Sequence, residues 1–197
     1  GEAEEAAAKN APEGWDLEAI VLRRADMFRQ KYAAQDALET YALLLEGRDA
    51  WHPEALAGSA RVHADNLAFA TASRLAHEAL QVDPSHPQAH AVLAWVALIE
   101  GRRDEAEQRV TEHVLARNPA NTSGLVVMAA LALVRGKRAD YDKWRDAAMA
   151  GNPKNGVFYR EIADVLGFLH LYAEIDEILT EGIERVPNDP HIHASRG

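Results

Sequence analysis

The stretch that decides the fold runs from Pro87 to Pro119: "PQAHAVLAWVALIEGRRDEAEQRVTEHVLARNP". A proline opens it and another closes it, and none stands between. Proline has no amide donor and clashes with the preceding turn, so it is excluded from helix interiors but suits a first helical turn. Between the prolines, "AHAVLAWVALIE" and "DEAEQRVTEHVL" read as two helices. Gly101 separates them, where a positive φ is cheap. The segment is therefore one helical hairpin.

The same punctuation recurs along the chain. Pro53 to Pro87 is 34 residues, Pro84 to Pro119 is 35, and Pro119 to Pro153 and Pro153 to Pro187 are 34 each. Taking Pro84, Pro153 and Pro187 as position 32 of a 34-residue unit gives units at about 18–51, 53–86, 87–121, 122–155 and 156–189. The second is set off by one residue at His52, and the fourth follows one extra residue. Position 8, where two helices cross closely and a small side chain is needed, reads Ala25, Ala60, Ala94, Ala129 and Ala163. Position 20 reads Ala37, Ala72, Ala106, Tyr141 and Ile175. Position 15, the turn, is Gly101 and Gly136 in the third and fourth units.

These features resemble the tetratricopeptide repeat (TPR), a 34-residue helix–turn–helix with a W-x2-L-G-x2-Y start, a later small residue and a closing proline. In the third unit Leu93 and Ala94 stand at the Leu-Gly pair and Ala106 at the small position of the second helix. The aromatic of position 4 is replaced by Val21, Leu56, His90 and Leu125, with Tyr159 alone aromatic. The likeness covers about residues 18 to 197 and is that of a bacterial-type multi-repeat array. It implies an all-α fold, a right-handed α-solenoid superhelix of antiparallel helix–turn–helix units. One hairpin cannot bury its apolar face, so stacked neighbours build the core and leave a concave surface.

Beyond the array, residues 1–17 read as an N-terminal segment, partly helical or without fixed structure. At the other end Asp189 is placed as an N-cap and Pro190 as the first residue of a sixth unit, so 190–197 read as its truncated start. The chain thus reads as a piece of a longer protein. Trp15 and Trp51 flank the first unit and are expected to seal its ends, while Trp144 reads as packing.

Composition narrows the function. The 197 residues carry no cysteine and a formal net charge of −10. Thiol catalysis, disulfides and Cys-type zinc sites are excluded. The acidic balance disfavours nucleic acid, which needs clustered Lys and Arg. No apolar run approaches the ~18 residues of a membrane span.

Nine histidines raise the question of a metal. "HEALQ" at His77 lacks the second histidine of His-Glu-x-x-His. His86 and His90 are separated by Pro87, and His170 and Glu174 straddle a turn. The tempting His191 and His193 point about 200° apart on a helix and cannot readily share one ion. No Gly-rich phosphate loop or Gly-x-Ser-x-Gly elbow occurs. No catalytic residue, metal or cofactor is expected.

The resemblance implies that positions 2, 5, 6, 9, 12 and 13 of each first helix face the groove. Carried over, the charged flanks are Arg61, Arg160 and Asp164, and the middle is apolar: Trp95, Leu98, Ile99, Val126, Ala130, Leu133 and Val134. The Lys/Asn clamp of chaperone-binding members is not matched, since those positions hold Arg23, Asp26, Ala57, Gly58 and Arg61. The reading is a non-enzymatic scaffold binding a peptide or helix of a protein partner in the groove. The apolar fourth first helix, "SGLVVMAALALVRG", also suggests a homodimer through that unit. The alternative is a non-catalytic appendage of a larger enzyme, for example a zinc-peptidase-like module, outside this chain.

Overall fold

A computed structural model describes residues 16–46, 51–154, 156–189 and 192–193. The described residues form helices α1 (Leu17–Gln30), α2 (Ala34–Leu45), α3 (Pro53–Asp65), α4 (Phe69–Val82), α5 (Pro87–Ile99), α6 (Arg103–Arg109), α7 (Thr122–Val134), α8 (Arg138–Gly151), α9 (Gly156–Phe168) and α10 (Tyr172–Arg185). A π-helical segment, Val110–Leu115, continues α6. No strand occurs among them. The fold is the all-α succession of helix–turn–helix pairs of an α-solenoid. By its contacts the chain divides into two units, Gly1–Ala89 and His90–Gly197.

The five turns inside the hairpins share one geometry. The first helix of each pair ends on a residue in the left-handed region: Tyr32 (φ 58°), Leu67 (φ 65°), Gly101 (φ 80°), Gly136 (φ 67°) and His170 (φ 57°). The next residue then donates its amide to a carbonyl five residues back, as in Ala33 to Phe28, Ala68 to His63, Arg102 to Ala97, Lys137 to Ala132 and Leu171 to Leu166. This is the Schellman closure, which satisfies carbonyls that a helix end leaves orphaned. Glycine adopts it without cost; Tyr32, Leu67 and His170 do so against the Cβ clash.

Helix starts follow a different rule. Asp16, His52 and Asn121 precede α1, α3 and α7, and each side chain accepts the amide three residues on. The helices that follow the tight turns, α2, α4, α6, α8 and α10, have no such side-chain cap. Asp189 Oδ1 accepts the Ile192 amide at 3.3 Å, and Ile192 is buried. Pro190, His191 and residues 194–197, where the sequence puts a sixth unit, lie outside the described residues, as do residues 1–15 with Trp15.

The crossing alanines are interior: Ala25, Ala60, Ala94, Ala129, Ala37, Ala72 and Ala106 have no exposed surface. Tyr141, standing where alanine is usual, is equally buried; it fits because its hydroxyl reaches Glu181 Oε2 at 3.3 Å. In the first unit Tyr41 from α2 lies across Gly58 of α3 and donates to Asp26 of α1 at 2.5 Å. Trp51 does not seal an end as expected. It is 56% exposed in the turn before α3, where its neighbour His52 turns inward to cap the helix. Trp144 is half-buried, with the Lys143 ammonium 4.4 Å above its ring.

Candidate interaction surface

The residues singled out for the groove fall into three environments. In the first unit Arg61, on α3, is 6% exposed. Its Nε donates to Asp65 Oδ1 at 2.7 Å, one helical turn on, while Arg29 of α1 reaches the other Asp65 oxygen at 3.3 Å. Two guanidiniums on one carboxylate tie α1 to α3. Arg61 is thus a buried strut of its own unit and not a charge held out to a ligand. Burial of such a cation is tolerable only with this pairing.

In the second unit the apolar middle is interior. Trp95, Leu98, Val126 and Ala130 are 3%, 1%, 2% and 0% exposed. The open apolar strip expected on α7, for a partner or for a second copy, is covered within the chain: Gly124 to Ala132 are all buried. The physical reason is a contact between helices two pairs apart. Trp95 of α5 meets Phe168 of α9 edge-on, ring centres 5.5 Å apart and 88° between planes. α7 lies between these elements in chain order and itself packs on α6, α8 and α9. A helix apolar all round requires such cover.

The other five keep accessible surface. Ile99, Leu133, Val134 and Arg160 are half-buried and Asp164 is exposed. Arg160 Nε has no hydrogen-bond partner among the described residues. Beside it Glu161 is 9% exposed and accepts from Ser123 of α7 at 3.4 Å. Of the ten residues chosen from sequence, nine stand on α5, α7 and α9 of one unit, four of them buried and five with accessible surface. Arg61 stands apart in the other unit.

Sequence reasoning missed a polar hub on the second helices. Glu181 of α10 is approached by Arg145 at 3.0 Å, Arg185 at 3.0 Å and Arg138 at 3.8 Å. The Tyr141 and Tyr159 hydroxyls donate to it, each at 3.3 Å. Burial, then the Glu181 charge, drives both hydroxyls far above the usual tyrosine range. Arg138, Arg145, Thr180, Glu181 and Arg185 line an open cleft of about 590 Å³. Every guanidinium there already meets a carboxylate, so the hub joins α8, α9 and α10. Tyr141 at an alanine position was the one sequence signal for it.

Among the described residues no three His, Asp or Glu side chains group as ligands. His170 sits in a left-handed turn beside Tyr172, and His193 faces the Pro187 carbonyl at 3.0 Å. No described helix is long and apolar enough to cross a membrane.

Comparison with known proteins rests on structure. No protein-family model matches the sequence. No curated protein matches it significantly. Among solved structures it is similar to TTC0263, a thermophilic TPR protein of Thermus thermophilus, at 17% identity and a TM-score of 0.66, over 91% of this chain and 96% of that one. A tetratricopeptide repeat protein from Parabacteroides merdae matches at 17% identity and a TM-score of 0.57, over 99% and 75%. The pilF protein of Pseudomonas aeruginosa matches at 18% and 0.56, over 83% and 75%. The fold is that of TPR proteins.

Proposed function

We propose that this chain is a non-enzymatic protein-interaction scaffold, and that its second unit holds a peptide or helix of a protein partner along the rim formed by α5, α7 and α9. The observation that carries the reading is the pairing of a rigid floor with a mixed rim. Trp95, Leu98, Val126 and Ala130 are buried, while Ile99, Leu133, Val134, Arg160 and Asp164 keep accessible surface. Half-exposed aliphatics beside one cation and one anion suit an amphipathic segment, which buries its apolar face and finds charge partners at its edge. The rim lies on helices whose backbones are fixed by core packing, which lowers the ordering cost of binding.

The test is affinity capture with the wild-type chain, Leu133→Glu and Asp164→Lys. Both variants should lose the same captured protein while retaining the helical circular dichroism signal. Asp164 is exposed, so Asp164→Lys should disturb the fold less than Leu133→Glu. Capture profiles identical to wild type from both variants would end the proposal.

A further inference from the structure

The caps of the first helices differ in chemistry along the chain. Asp16 Oδ1 accepts the Ala19 amide, Asn121 Oδ1 the Gly124 amide and Asp189 Oδ1 the Ile192 amide. At α3 and α5 the same position holds an imidazole. His52 Nδ1 accepts the Ala55 amide and His86 Nδ1 the Ala89 amide, each at 3.3 Å. Pro53 and Pro87 follow directly, fixing φ of the first helical residue. An oxygen cap remains an acceptor at any pH above the carboxylate range; an imidazole nitrogen does not.

Geometry sets the tautomer. A ring whose Nδ1 accepts a hydrogen bond carries its proton on Nε2. His52 Nε2 stands 2.9 Å from Glu18 Oε1 of α1, a partner that takes that proton's hydrogen bond. His86 Nε2 points toward Glu54 Oε1 of α3 at 4.0 Å. The other Glu54 oxygen waits 3.3 Å from His52 Nδ1. Both rings and both carboxylates belong to the first unit.

We propose that His86 is an acid-sensitive cap that holds the start of α5 only while its ring is neutral. Protonation puts a hydrogen on Nδ1, which then faces the Ala89 amide donor to donor, and the cap is lost. The residue is 6% exposed, and the Glu54 oxygen near its Nε2 stands 4.0 Å away. Burial pushes its protonation downward, the Glu54 and Asp83 charges oppose that shift, and His52 adds to it. The positive end of each helix also disfavours a charged cap.

The sign follows from linkage. The unfolded chain binds the His86 proton near the ordinary imidazole value of about 6.5, while the folded chain resists it. The neutral cap's contribution is complete above that value. It is lost as pH falls from there through the lower folded value.

The experiment is amide hydrogen exchange on the full chain at about pH 7.5 and about pH 5, corrected for intrinsic rates. Exchange at Ala89 should speed up roughly fivefold in acid, the worth of a typical cap. Gly124, capped by Asn121, should not change. In His86→Asn both amides should be insensitive to this pH step. Wild-type protection unchanged at Ala89, or the same acid loss in the variant, would overturn the proposal. Imidazole nitrogen shifts of the wild type give an independent check should the variant fold poorly. A protonated His86 Nδ1 at neutral pH would also overturn it.

Discussion

Helices α3 and α7 are both buried on almost every face, and they reach that state with different balances of small and large side chains. α7 does so with Leu125, Val126, Val127, Met128 and Leu131. α3 does so with Ala55, Ala57, Gly58, Ser59 and Ala60, and it takes Arg61 inside with them. Small residues let the neighbouring backbone and the Tyr41 ring come close; Gly58 is the position on which that ring rests, and a Cβ there would run into it. Large residues instead fill space themselves. Burial is therefore a matter of how a helix meets its neighbours, and hydrophobicity is only one way to achieve it.

The comparison can be broken most forcefully in α7. Leu131→Ala should cost about 3 kcal/mol, because methylenes leave a core that cannot fully close on the void. Chemical denaturation followed by circular dichroism measures it. In α3 the corresponding loss is polar. Asp65→Ala removes the carboxylate shared by Arg29 and Arg61 and should cost about 2 kcal/mol, the range for hydrogen bonds to charged groups. A loss from Asp65→Ala as small as that of an exposed surface change would show that the α3 strut contributes little.

The turns that end these two helices sharpen the contrast. Leu67→Gly, after α3, should raise stability by roughly 0.5–1 kcal/mol, as relief of the left-handed strain exceeds glycine's added freedom in the unfolded chain. Gly136→Leu, after α7, should lower it by about 1 kcal/mol. Equal and opposite shifts in the unfolding midpoint are the expected signature. The smallest effect belongs to Trp51, in the turn before α3: Trp51→Ala should stay within about 0.5 kcal/mol of wild type.

Much of this architecture was readable in the residues themselves. Prolines one repeat apart, alanines at the crossing position and glycines at two turns each state a steric requirement directly. The left-handed backbone at Tyr32, Leu67 and His170 was not readable, since those residue types argue against it and only the neighbouring helices enforce it. The interior position of α3 was hidden for a similar reason: "PEALAGSARVHAD" carries charges, and the Arg29–Asp65 pair that helps bury them forms only in three dimensions. For the proposed surface, the sequence pattern named residues on α5, α7 and α9. It did not show that Trp95 and Phe168 meet, which turns the expected open strip into floor and leaves the rim to be contacted. The Glu181 hub depends on residues 40 positions apart and had one local clue, Tyr141.

The π-helical segment accounts for the length of its repeat. The third repeat is a residue longer than its neighbours, Pro84 to Pro119 spanning 35 residues where others span 34. A π turn carries one residue more than an α turn. The surplus falls within Val110–Leu115, where His113 stacks on His90 at 3.9 Å, instead of lengthening a loop. The extra residue is thus accommodated as a local swelling of the helix, and α7 begins one residue late. Removing one residue from that segment should return it to plain α geometry, making this repeat the place where the array can gain or shed length without losing its stack.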